Sequence, residues 1–225
     1  MVIFVAIAIL AIIVLPQLWV RHTLDRHAIE RPDLPGTGGE LARHLLDRFD
    51  LGNVAVETTE LGDHYDPEAK TVRLLKSHFD GRSLAAVAVA THEVSHALQD
   101  ARGERLLALR QTLAKFAAGT DRIAAFFFIA APVLGLLART PLAFAALVGV
   151  GVSLLAVRVV VSLVTLPVEI DASFSKALPI LKDGNYVAEQ DMPAVRSLLR
   201  AAAFTYLAGA LISLVNLARW IRLLR

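Results

Sequence analysis

Residues 83–101 read SLAAVAVATHEVSHALQDA, and this stretch decides the architecture around it. Two histidines, His92 and His96, stand four positions apart in a run of small and branched apolar residues. Ser83 is a favourable N-cap residue and Gly103 is a stop signal, so the stretch predicts one helix. Residues four apart on a helix emerge from the same face, one turn apart. The two imidazoles are therefore expected to lie side by side.

A glutamate next to the first histidine completes the pattern His-Glu-x-x-His. Glu93 lies about 100° around the helix from His92, beside the histidine pair rather than in line with it. By chance, this motif would occur about 0.01 times in a chain with this content of His and Glu. In this pattern the histidines bind zinc and the glutamate acts as general base. The alternative, a histidine pair that binds no metal, is disfavoured.

The composition indicates a membrane protein that holds any metal without thiolates. The chain has 225 residues, of which 56% are hydrophobic, and its mean hydropathy of +0.56 is too high for an ordinary soluble domain. It contains no cysteine, so a metal must be bound by His, Asp or Glu. The net charge is only +2 and the basic residues are scattered, so we expect no nucleic-acid partner.

Four apolar stretches are candidates for transmembrane helices, because each approaches the ~20 residues that span a bilayer. The first has no basic start and no small-residue cleavage site, so we interpret it as an uncleaved anchor. The alternative is that the later stretches are buried core helices of a soluble protein. The four stretches are residues 2–20, 123–138, 141–168 and 201–218.

This pattern predicts a multi-pass integral membrane protein. Lys and Arg near the span ends are more numerous on the side of the large polar segment, which favours a cytoplasmic position for it. The predicted organisation is a transmembrane anchor (1–20), a catalytic segment (21–122), transmembrane helices 2 and 3 (123–168), a third-ligand segment with a connecting loop (169–200), and transmembrane helix 4 with a basic tail (201–225).

The polar segment reads as a small α+β unit. The spacing of apolar residues predicts an amphipathic helix over 36–49, and alternation predicts strands over 53–59 and 71–79. The composition of 61–67 is typical of a turn. We expect the strand over 71–79 to be the sheet edge on which an extended substrate aligns. The fold class is thus a mainly α integral membrane protein with a small α+β zincin-like segment.

A catalytic zinc site needs a third protein ligand and an open position. The metzincin pattern would require glycine and histidine where Gln99 and Arg102 stand, so that class is excluded. Glu104 is a weak candidate, only eight residues beyond the motif. Glu169 follows the third span on the same predicted side as the histidines and is the better candidate. His64 remains the next alternative.

Several motifs occur together in one order: LGDHYDP (61–67), SLAAVAVAT (83–91), HEVSHALQ (92–99) and LPVEIDAS (166–173). In this combination the chain resembles the YugP-type membrane zinc metallopeptidases and, more distantly, the HtpX-type and CAAX-prenyl membrane proteases.

This resemblance implies a location in the bacterial cell membrane and a gluzincin-like site, with zinc ligands His92, His96 and Glu169 and with Glu93 as catalytic base. Ser95 stands where that family usually has glycine. Its hydroxymethyl group is expected to crowd the helix against the floor of the site.

The expected function is a membrane-embedded zinc endopeptidase that cleaves membrane or membrane-proximal polypeptides. Tyr65 and His64 are candidate donors to the developing oxyanion, and Asp171 is a candidate acceptor that fixes the tautomer of a ligand histidine. The expected partners are a polypeptide substrate, the lipid bilayer, and a membrane protein or a second copy of the chain. The alternatives are a non-proteolytic zinc-binding membrane adaptor or scaffold and, more remotely, a transporter.

Overall fold

The computed structural model describes residues 2–137 and 140–204, which form a mostly helical fold with one small sheet. The strands are β1 Ala55–Thr59, β2 His64–Asp66 and β3 Thr71–Leu75. The helices are α1 Val2–Arg26, α2 Gly38–Arg48, α3 Lys76–Phe79, α4 Leu84–Ala101, α5 Arg105–Leu137, α6 Pro141–Ile170, α7 Leu178–Asp183 and α8 over 192–204. A π-helical segment, Asp171–Ala177, joins α6 to α7, and a 3-10 turn, Glu189–Asp191, precedes α8.

Side-chain caps explain where two central helices begin. At α2, the Thr37 hydroxyl accepts from the Glu40 N–H and the Glu40 carboxylate accepts from the Thr37 N–H, which is a complete capping box. At α4, the Ser83 hydroxyl accepts from the Ala86 N–H at 3.1 Å. The predicted helix over 83–101 and its cap are therefore confirmed.

The sheet differs from the prediction in its order and in one of its strands. β3 pairs in parallel with β1 and antiparallel with β2, so the strand predicted as the edge is instead central. It ends at Leu75, whose N–H donates to Asp63 Oδ1, while Asp63 Oδ2 contacts His78 Nδ1 at 2.8 Å. The segment 61–67, predicted as a turn, contributes β2. The largely buried β3 needs partners on both sides for its backbone groups.

Helix α4 lies between two hydrophobic clusters, so nearly all of it is buried. One cluster joins it to α2 and the sheet: Ala42, Leu45, Leu46, Val54, Val72, Leu74, Ala90, Val94 and Ala97. The other joins it to Leu34, before α2, and to the chain that follows α6. Its members are Leu34, Leu84, Ala85, Val87, Ala88, Ala177, Leu181, Val187, Val195, Leu198 and Leu199. Alanines on both faces keep the helix thin and let its neighbours approach closely. The polar residues of α4 are consequently held in the interior.

Helices α5 and α6 pack together and turn large apolar side chains outward. Phe126, Ile129 and Leu142 are 77%, 79% and 81% exposed, which is unusual for a surface facing water. Within the described residues, the helix that runs from Pro141 to Asp183 (43 residues) is the one long and apolar enough to cross a membrane. The predicted span over 123–138 corresponds to the second half of α5.

The remaining two predicted spans lie at the ends of the chain. The stretch 2–20 falls within α1, which is helical over 25 residues. Of the stretch 201–218, α8 includes residues up to 204, and the rest lies outside the described residues.

Candidate metal centre

Two histidines of α4 and one glutamate of α6 converge in the interior of the protein. Glu169 Oε2 lies 3.0 Å from His92 Nε2 and 3.3 Å from His96 Nε2. One ligand atom from each residue falls in a cluster whose members are all within 4.8 Å of one another. Both histidines are buried, and Glu169 is 0% exposed. Two imidazole nitrogens and a carboxylate oxygen form a donor set that suits zinc, so these three residues fit the metal that the motif implies.

Each histidine is oriented by a hydrogen bond on its outer ring nitrogen. His92 Nδ1 lies 3.1 Å from Ser173 Oγ, and His96 Nδ1 lies 2.8 Å from Gln99 Oε1. A proton on Nδ1 satisfies both contacts and leaves each Nε2 with a lone pair directed at the centre. Such outer partners fix the tautomer and orientation of metal-binding histidines.

Asp171, predicted to contact a ligand histidine, is instead one step removed from it. The Gln99 side chain donates to Asp171 Oδ2 at 2.7 Å and to the Val168 carbonyl at 3.1 Å. Asp171 in turn accepts a short hydrogen bond from Lys176, which also pairs with Glu104 at 2.9 Å. The amide intervenes because it has both an acceptor for the histidine and donors for the carboxylate. Glu104, the weak candidate ligand, is thus engaged elsewhere.

Glu93 is buried beside the centre. Desolvation raises the pKa of its carboxyl from the ordinary 4.5 to about 7, opposed by the nearby His92. The carboxylates of Glu169 and Asp63 add to the rise. A carboxyl with a pKa near neutrality can both accept and release a proton at physiological pH.

His64 and Tyr65 lie on β2 and differ in their relation to the centre. Tyr65 lines a cleft of about 270 Å³ together with His96, whereas His64 is not among the residues that line this cleft. The Tyr65 hydroxyl donates to Asp100 Oδ2 at 2.7 Å, and burial raises its pKa. His64 Nδ1 contacts the Gly62 carbonyl at 2.8 Å, and His64 is not in the cluster of candidate ligands.

Ser95 is fully buried in the middle of α4, between the two histidines. Its hydroxyl donates to the Thr91 carbonyl one turn earlier, at 2.8 Å. The extra polar group is therefore satisfied within its own helix, a common arrangement for serine inside helices.

Three residues at the centre were not among the predicted site residues: Gln99, Ser173 and Arg110. Gln99 is three residues after His96, and Ser173 is four after Glu169, so helical spacing could have indicated both. Arg110 Nη2 lies 3.3 Å from Glu169 Oε1, across from α5 to α6. Nothing in the local sequence of α5 signals that contact.

Comparison with known proteins identifies the family of the chain. The profile of the family described as "Putative neutral zinc metallopeptidase" matches residues 1–225. The chain belongs to this family. Its similarity extends to the "Putative membrane protease YugP" of Bacillus subtilis (strain 168), with 36% identity over 221 residues, 97% of this chain and 94% of that protein. No solved structure matches the chain. Membership in the family confirms the resemblance identified from the motifs.

Proposed function

We propose that this protein is a membrane-embedded zinc endopeptidase in which His92, His96 and Glu169 bind the metal and Glu93 is the general base. The observation that carries the proposal is the convergence of Glu169 on both Nε2 atoms, from a helix 73 and 77 residues away in sequence. The family to which the chain belongs is described as a zinc metallopeptidase, which supports the choice of metal and reaction.

The proposed chemistry depends on a buried proton carrier. When bound, zinc polarises the scissile carbonyl and lowers the pKa of a water toward ~7. Glu93 accepts a proton from the attacking water and returns it to the departing amine. Burial raises the pKa of the Glu93 carboxyl above its ordinary value, so this group holds a proton taken from water more readily than an exposed glutamate does. Ser173 and Gln99 keep the two imidazoles in the tautomer that directs Nε2 inward.

We place the substrate in the cleft between β2 and the first turns of α5. β2 is a terminal strand of the sheet, and Tyr65 and Asp66 line the cleft with His96. An extended polypeptide can pair with the outer edge of such a strand through its main chain. That mode of binding depends little on side chains, so we expect broad sequence preference.

The membrane arrangement is part of the proposal. We propose four spans, over 2–20, 123–138, 141–168 and 201–218, with the metal centre on the cytoplasmic side at the end of α6. Support comes from the exposed apolar side chains of α5 and α6, and from the helix over Pro141–Asp183, which is long and apolar enough to cross a membrane and carries Glu169. The similar protein of Bacillus subtilis is named a membrane protease. The bilayer and a membrane-proximal polypeptide are the proposed partners.

The proposal is tested by measuring zinc content and peptide cleavage for Glu93→Gln beside the wild type. The purified protein is supplied with a denatured membrane protein as substrate, and zinc is quantified by mass spectrometry. The variant should keep its zinc and lose cleavage by at least about 100-fold, because only the proton carrier is removed.

Glu60→Gln is the matched control, since Glu60 is exposed and lies outside the site. Cleavage by Glu93→Gln at the wild-type rate would refute the base assignment. Zinc binding without cleavage by the wild type would favour the alternative, a zinc-binding membrane adaptor.

A further inference from the structure

The two carboxylate oxygens of Glu169 have different surroundings. Oε2 faces the Nε2 atoms of His92 and His96, at 3.0 and 3.3 Å. Among the described residues, Oε1 accepts no hydrogen bond, and it lies at ion-pair distance, 3.3 Å, from Arg110 Nη2. The carboxylate is fully buried, whereas the Arg110 side chain is partly accessible and lines the same cleft as His96.

This asymmetry matters because a carboxylate can bind a metal through one oxygen or through both. A catalytic zinc site has three protein ligands and must retain a position for water or substrate. If both oxygens of Glu169 were bound, the second would compete for that position. A cation at Oε1 opposes this, because its charge attracts the negative oxygen and so competes with the metal for it.

Arginine is well suited to this position. Its guanidinium stays charged at every physiological pH, so the contact does not depend on protonation. It reaches Glu169 from α5, a separate element from the two helices that carry the ligands. The ion pair therefore acts on the carboxylate from a third helix.

We propose that Arg110 is a positioning residue that holds Oε1 of Glu169 out of the metal's ligand set, so that Glu169 binds through Oε2 alone. This inference rests on the proposed function, since it assigns a role at the same site. A purely structural role, in which the ion pair only ties α5 to α6, predicts reduced stability without any change in the coordination of the metal.

The experiment compares Arg110→Ala and Arg110→Lys with the wild type after substitution by Co²⁺, whose visible absorption reports coordination number. Arg110→Ala should shift the spectrum toward higher coordination, and kcat should fall by about 10- to 100-fold with little change in KM. Arg110→Lys should restore part of both, because it retains a cation. Arg105→Ala is the control, an exposed arginine five residues earlier on α5.

An unchanged Co²⁺ spectrum in Arg110→Ala would overturn the inference, whatever the loss of thermal stability. A rise in KM alone would also overturn it, because it would assign Arg110 to substrate binding. The proposed function fails separately: in that case the wild type would not bind the metal stoichiometrically, or Glu169→Ala would bind it equally well.

Discussion

The buried carboxyl of Glu93 predicts a specific dependence of stability on pH in the metal-free protein. Its pKa is raised to about 7 in the folded state, mainly by desolvation, from an ordinary value of 4.5. Below pH 4.5 the carboxyl is protonated in the folded and unfolded states alike. As the pH rises, the unfolded chain releases the proton first, so the folded state loses stability until the pH passes the folded pKa.

The size of this loss follows from the two pKa values. At about 1.4 kcal/mol for each pKa unit, the difference between 4.5 and about 7 corresponds to roughly 3 kcal/mol at pH 8. For a protein of this length, each kcal/mol shifts the melting temperature by about 2–4 °C. Glu93→Gln removes the titration, so the melting temperature of the variant relative to the wild type should rise by about 6–12 °C between pH 4.5 and pH 8.

The measurement is thermal unfolding in detergent with a metal chelator, at a series of pH values, for both proteins. The chelator is essential, because a bound cation would favour the ionised carboxylate and cancel the effect. Glu60→Gln provides the control, since Glu60 is exposed and lies outside the site. Parallel profiles for Glu93→Gln and the wild type between pH 4.5 and pH 8 would refute the reasoning.

Two further substitutions test the surroundings of the histidines. Ser173→Ala removes the hydrogen-bond partner of His92 Nδ1 and should weaken zinc binding by about 10- to 100-fold, measured by competition with a chelator. Ser173→Thr, which keeps the hydroxyl, is the control. An unchanged zinc affinity in Ser173→Ala would contradict the role of Ser173. Ser95→Gly places glycine inside α4 and should lower the free energy of unfolding by roughly 0.5 kcal/mol. Zinc should be retained, since the Ser95 hydroxyl donates only to a carbonyl of its own helix, and loss of zinc would show that Ser95 supports the site.

The sequence by itself determined the part of the site that depends on local spacing. The four-residue interval between His92 and His96 can place both rings together only on a helix, and the cap at Ser83 marked where that helix begins. The apolar residues of α6 likewise predicted a long helix. These two helix predictions succeeded because each concerns one element, whose periodicity is fixed by backbone geometry. Glu169, in contrast, was proposed as a ligand from the predicted topology and from the family resemblance carried by LPVEIDAS.

The tertiary structure decided which partners meet across elements. In the sheet order β1-β3-β2, the strand predicted at the edge, β3, is central, and β2 is at the edge. The order of strands depends on which strand is buried by its neighbours and not on the residues of one strand. Gln99, and not Asp171 as predicted, contacts His96, and Asp171 accepts a hydrogen bond from Gln99. This arrangement arises because α4 and the π-helical segment after α6 pack against each other. Arg110 reaches Glu169 only because α5 packs against α6. Contacts between distant segments follow from packing, and no local pattern encodes them.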